Sequence, residues 1–204
     1  MKRKTITMIM AAALVTLGAA TATAGEVTPQ DASSLEYMRE EEKLARDVYI
    51  ALGDRWDIPV FENIARAEQR HMDAVLQLLD AYDIDDPVLG PGEFANQELQ
   101  SLYDDLVARG GESLEEALRV GALIEEVDIE DLERSIAGTD ETDIETVYER
   151  LLAGSYNHLR AFVAQLDRIG VDYEPSVLAR GDFDEILDGS QGFGRRRGGR
   201  RGRI

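Results

Sequence analysis

The stretch LEYMREEEKLARDVYIAL (residues 35–52) decides the fold. Leu35, Met38, Ala45, Tyr49 and Leu52 recur at three- and four-residue steps, the spacing of one face of an α-helix. Continued strictly, the register 35-38-42-45-49-52 places Glu42 inside the apolar seam. An acid in a seam is unusual, and the question becomes whether other segments repeat the pattern.

They do. Asp57-Ile58-Pro59 opens a second helix, with proline in the first turn, and its stripe runs Phe61, Ile64, Ala65, Met72, Val75, Leu79 and Tyr82. Glu68 and His71 fall inside that stripe, three residues and ~4.5 Å apart along the axis, so both point the same way. A third long helix is expected behind the Ser113–Glu116 capping box, with register 118-122-125-129-132-136 and Glu125 in the seam. A fourth, with Thr139 and Asp140 as caps, carries 144-147-151-155-158-162, which seats Ser155 and His158 there. The first helix is expected over about 33–52, capped from Asp31-Ala-Ser-Ser. Residues 93–109 form a shorter helix within the long link between the second and third. Beyond Asp172 at most two short helical turns are expected. No window alternates with period two, so the chain reads as all-α. Two hairpins joined by a long, helix-containing crossover is the connectivity of an antiparallel, ferritin-like four-helix bundle.

Glu42, Glu68, His71, Glu125 and His158 therefore converge near mid-length on the shared core. Buried carboxylates without partners cost several kcal/mol each, and several together repel; a bound cation removes both penalties. The chain has only two histidines, and both occupy seam positions. Glu40, Glu41, Glu126 and Glu130 are expected on solvated faces, as many acids must be when 41 residues are acidic. Tyr49 is expected to close the core with its hydroxyl near the surface, and Trp56 to pack at a helix end. Ser155 beside His158 is no nucleophile–base pair, because nothing there would form an oxyanion hole.

The motifs EEEKLARDVY (40–49), AEQRHMDAV (67–75), GALIEEVDIEDL (121–132) and GSYNHLRAF (154–162) resemble a bacterial and archaeal ferritin-like family known as domain of unknown function 2202. The first two are also similar to the opening half of rubrerythrins. The resemblance implies a centre of one or two iron or manganese ions acting on O2 or peroxide. It implies Glu42 and Glu125 as helix carboxylates, Glu68 as a bridge, His71 and His158 as terminal imidazoles, and Asp128 as an extra ligand. The superfamily places a carboxylate three residues before the last histidine, where this chain has Ser155. The second bridge is then missing, or replaced by Asp128, water or substrate. The expected function is an exported metal-binding protein with oxygen or peroxide redox activity. The alternative is a non-catalytic helical module with a degenerate metal site, acting through its acidic surface or basic tail.

Composition sets the outer bounds. With 41 acidic against 22 basic residues and a formal charge of −19, the body lacks the cationic face that nucleic-acid binding requires. The absence of cysteine excludes disulfides, thiolate zinc, iron–sulfur clusters and a rubredoxin-type module. Lys2, Arg3 and Lys4 ahead of an apolar run to Ala20 and Thr21-Ala-Thr-Ala24 read as a signal peptide over 1–24. The run is shorter than the ~20 residues of a spanning helix. A periplasmic or secreted location follows, with no integral membrane span after cleavage. The remaining divisions are a leader (25–32), the bundle (33–172), an extension (173–191) and a tail (192–204). That tail holds Arg195, Arg196, Arg197, Arg200, Arg201 and Arg203 among glycines. Weak contact with a polyanion or an anionic membrane surface is expected there, and a homodimer is left open.

Overall fold

The structure, a computed structural model, describes residues 27–189. The expected signal peptide and arginine-rich tail lie outside the described residues. Within them the chain forms six helices and no strand: α1 (Pro29–Trp56), α2 (Pro59–Ala81), α3 (Gln97–Gly110), α4 (Leu114–Gly138), α5 (Thr142–Arg168) and α6 (Arg180–Leu187). None of these helices is long and apolar enough to cross a membrane.

Several starts differ from expectation, each for a local reason. α1 begins at Pro29, four residues into the expected leader, because the Thr28 side chain accepts from the Asp31 amide at 3.1 Å and proline suits the first turn. α3 begins at Gln97 rather than 93, where Asn96 caps the amides of Glu98 and Leu99. α5 has Glu141 in the cap position; Thr139 accepts from the Glu141 amide but remains extended, outside the helix. Ser113 does cap α4, accepting from the Glu116 amide, while the Glu116 carboxylate turns away to Arg109 at 2.7 Å.

The chain is a helical bundle built on two hairpins. α1 packs along α2 and α4 along α5, with α1–α4 and α2–α5 contacts closing the bundle and α3 lying against α1 and α4. The α4–α5 pairing is antiparallel: Gly121 meets Phe162, Glu125 meets His158 and Asp128 meets Ser155. Gly121 is required at its level, because a Cβ there would overlap the Phe162 ring. Two apolar clusters result. One, around Leu35, Met38, Val75, Leu79, Leu132 and Tyr148, fills one end. The other, around Tyr49, Phe61, Leu118 and Phe162, fills the opposite end and extends to α3 and α6. The polar seam residues lie between them.

Three acids expected on solvated faces are instead buried: Glu40 at 4% exposure, Glu41 at 6% and Glu126 at 0%. For two of them the cause is chain that covers the bundle from outside. The α2–α3 connection lies over α1, and α1 grips it with charged side chains. Arg39 holds Asp86 at 2.8 Å, Glu40 accepts from the Ala95 and Asn96 amides, Lys43 donates to the Glu93 carbonyl and to Asp47, and Asp47 accepts from the Gly92 amide. Lys43 also sits 4.0 Å above the Phe94 ring. On α4, Glu126 accepts from the Tyr173 hydroxyl at 2.6 Å and from the amides of Ser176, Val177 and Leu178. It thereby clasps the segment that leads to α6, whose Phe183 and Ile186 join the core. Glu130, by contrast, is half-exposed.

Candidate metal centre

The seam acids and imidazoles meet in the middle of the bundle. Glu42 (α1), Glu68 (α2) and Glu125 (α4) are 1–2% exposed, and His158 (α5) is 8% exposed. His71 (α2) lies at the edge, its side chain 14% exposed. Nδ1 of His71 stands 3.2 Å from Glu42 Oε2 and 2.8 Å from Glu68 Oε2. Nδ1 of His158 stands 2.7 Å from Glu68 Oε1 and 3.5 Å from Glu125 Oε2. The two imidazoles stack at 5.5 Å between centroids. The result is two ligand groupings, Glu42–Glu68–His71 and Glu68–Glu125–His158, each with its ligand atoms within 4.8 Å of one another. Glu68 belongs to both.

The fit to a cation is visible in what these atoms lack. Glu42 Oε1, Glu68 Oε2 and His158 Nδ1 are buried without a hydrogen-bond partner. The His158 nitrogen is close to carboxylate oxygens yet not aligned with them. Buried polar atoms are nearly always hydrogen-bonded, so unpartnered carboxylate and imidazole atoms in these two groupings are ones that could hold a cation.

Electrostatics tell the same story from the metal-free side. Burial pushes the Glu42 carboxyl well above the usual range, Asp128 adds to this, and His71 only partly opposes it. Burial likewise raises Glu125. Asp128 is pushed up to about 8 by burial and by Glu125. Burial alone would lower the imidazoles, but Glu42 and Glu68 outweigh it and raise His71 to about 11; Glu125 and Glu68 raise His158 to about 10. Burial would raise Glu68 too, but the flanking His158 and His71 hold it well below the usual carboxylate range. Without metal, the cluster is a proton store.

Asp128 belongs to neither grouping. Its Oδ2 accepts from the Ser155 hydroxyl, which also lies 3.0 Å from the Leu151 carbonyl, and its Oδ1 has no partner. Ser155 therefore holds the neighbouring acid in place of offering one of its own. Tyr49 departs from expectation: it is fully buried, and its hydroxyl donates to Glu125 Oε1 at 2.6 Å. Its ring packs against Phe162 at 5.1 Å and Phe61 at 6.3 Å. Periodicity places Tyr49 in the seam but cannot show which acid its hydroxyl reaches. Trp56 caps the end of α3, donating to the Gly110 carbonyl at 2.9 Å. A surface cavity of about 440 Å³ between the end of α1 and the start of α2 reaches Tyr49 but includes none of the clustered ligands.

Gly154 heads the motif 154–162 but periodicity gives it no role, although a glycine inside a helix costs ~1 kcal/mol and asks for a packing reason. A Cβ there would lie 2.5 Å from His71 Nε2. Gly154→Ala is expected to drive the His71 ring out of the first grouping while leaving the second intact. Metal analysis of the purified variant should then show half the wild-type content.

A helical bundle with a buried carboxylate–imidazole cluster is the class that fold and site define. The chain matches the family described as "Uncharacterized protein domain (DUF2202)" over residues 31–190, and it belongs to that family. It is similar to the "Uncharacterized protein MJ0754" of Methanocaldococcus jannaschii, 47% identical over 166 residues that cover 80% of this chain and 90% of that protein. The crystal structure of the hypothetical protein MJ0754 from the same organism superposes with a TM-score of 0.79 at 45% identity, covering 83% of this chain and 98% of that one.

Proposed function

We propose that this protein is an exported, ferritin-like metalloprotein. One iron or manganese ion would sit in each of the two groupings, with Glu68 as the bridge. The observation that carries this reading is the shared carboxylate: two three-residue donor sets meet on Glu68, with an imidazole at each outer end. Glu42 and His71 hold one side, Glu125 and His158 the other. The bound ions would supply a change of oxidation state and open positions for O2 or peroxide.

The chain's own contribution is orientation and dryness. Tyr49 donates to one oxygen of Glu125, leaving the other facing His158. The apolar clusters on either side keep bulk water from the carboxylates. Ser155 fixes Asp128 beside the site with one oxygen free, near enough to raise Glu42 and able to hold a proton close to the cluster.

The test is elemental analysis and optical spectroscopy of the mature protein purified without added metal or chelator. Iron or manganese in both groupings, with the absorption of a dinuclear centre, is the expected result. No metal, and none on reconstitution, would overturn the reading and favour the module whose polar core is a relic.

A further inference from the structure

We propose that the α2–α5 edge, where His71 and His158 reach the surface beside Gly154, is a binding site for a small oxyanion. This rests on the reading of the buried cluster as a metal centre.

Of the five clustered residues only the imidazoles meet solvent to any extent. The His71 and His158 side chains are 14% and 10% exposed, against 1–2% for Glu42, Glu68 and Glu125. Each ring turns Nδ1 inward, at 2.8 Å and 2.7 Å from the two oxygens of Glu68. Nε2 of neither ring has a hydrogen-bond partner among the described residues, and neither atom is buried. The rings stack at 5.5 Å with 28° between their planes. Their outer edges gather at Gly154. A Cβ there would lie 2.5 Å from Nε2 and 2.6 Å from Cε1 of His71, and 3.8 Å from Cε1 of His158.

An ion held by Nδ1 fixes the ring proton on Nε2. Both histidines of the loaded protein then present an N–H donor to the outside. Ligand histidines almost always give that N–H to a carboxylate, a carbonyl or water, and loss of the acceptor typically costs about 10–100-fold in metal affinity. Among the described residues the protein supplies none. Two donors side by side at one edge suit an acceptor that offers an oxygen to each, as a carboxylate or other small oxyanion does.

Charge favours an anion there, although the body is acidic. Most of the described arginines, Arg39, Arg46 and Arg66 among them, are held by carboxylates. Arg70 immediately precedes His71, and Arg150 lies one turn before Gly154 on the same face of α5. Both are exposed and neither pairs with an acid; Arg70 donates only to the Arg66 carbonyl. In the loaded centre two divalent ions also outweigh three carboxylates. An oxyanion at this edge is therefore attracted by the arginines and by the centre, and by reciprocity its binding tightens the hold on the metal.

The experiment is titration of the full mature protein with Co(II), followed by its d–d absorption, in formate and in chloride at equal ionic strength. Formate should tighten cobalt binding by about tenfold. Arg70→Gln combined with Arg150→Gln should reduce that gain to about twofold or less. Arg168→Gln, which removes a charge near the far end of α5, should leave the gain as in the wild type. Both edge arginines are exposed, so the melting temperature of the double variant should match that of the wild type. Equal affinity in formate and chloride would overturn the site. So would a full formate gain in the double variant, which would place the anion on the ion itself. A carboxylate borrowed from a second copy of the chain would make cobalt affinity rise with protein concentration and leave formate without effect, which also overturns a site for a free anion. If the wild-type protein takes up no cobalt in either salt, the metal-centre reading fails first, and the anion site falls with it.

Discussion

Glu68→Ala should empty both metal positions at once, where loss of Glu42 or Glu125 should empty one. Glu68 stands 2.8 Å from Nδ1 of His71 and 2.7 Å from Nδ1 of His158, and no other side chain belongs to both groupings. The damage should extend to the metal-free protein. There Glu68 is the carboxylate whose pKa is held low between two protonated imidazoles. Its removal leaves two buried cations stacked at 5.5 Å, and breaking a buried charge pair costs about 3–5 kcal/mol. For a domain of this size that corresponds to a melting temperature lower by roughly 10 °C. Glu62→Ala, on an exposed side of the same helix, is the control and should change neither metal content nor melting point. A Glu68→Ala protein more stable than the wild type would mean that the cluster is a burden without cargo.

The second large effect is a pH response of opposite sign in the metal-free and loaded forms. In the metal-free protein Asp128 is raised to about 8, and His71 and His158 to about 11 and 10. Each raised group keeps its proton longer folded than unfolded, so the native state binds more protons between the two pKa values. Stability then falls as pH rises, from about 4 to 8 for Asp128 and from about 6.5 to 10 or 11 for the imidazoles. Glu68, being lowered, works the other way, but only below about pH 4. Metal binding must displace the imidazole protons. Each proton displaced makes affinity rise tenfold per pH unit, or about 1.4 kcal/mol of added stabilisation for each ion at saturation. Melting curves with and without Mn(II) between pH 5.5 and 7.5 should therefore diverge as pH rises. The general repulsion within the acidic body acts on both forms and drops out of the difference. Parallel curves would mean that the imidazoles are not ligands.

The apolar registers were legible because each is a property of one helix. Leu35, Met38, Glu42, Ala45, Tyr49 and Leu52 are all buried, as are Leu118, Ala122, Glu125, Ile129 and Leu132. The pair on α2 was legible for the same reason: Glu68 and His71 need only a helix to point together. Burial by a distant segment leaves no trace in periodicity. Glu40 and Glu126 read as solvated because the amides that cover them come from residues 95–96 and 176–178. Glu41 was misread for a related reason, since Asp131 meets it from another helix. The partnership of Ser155 with Asp128 belongs to the same class: at position 155 a missing carboxylate was evident, but the acid that the serine would hold was not.

Through its middle, α1 has almost no solvent side. From Met38 to Tyr49 every residue except Arg46 is buried, by α2 and α4 inside and by the α2–α3 connection outside. That stretch cannot peel off by itself; it can leave only when its whole surroundings come apart. Its amides should exchange with deuterium at the rate of global unfolding. Glu42 sits in the middle of that stretch, so an ion it holds is shielded from every partial opening of the bundle. Retention of the ion would then be a kinetic property of the whole domain, lasting as long as the fold lasts.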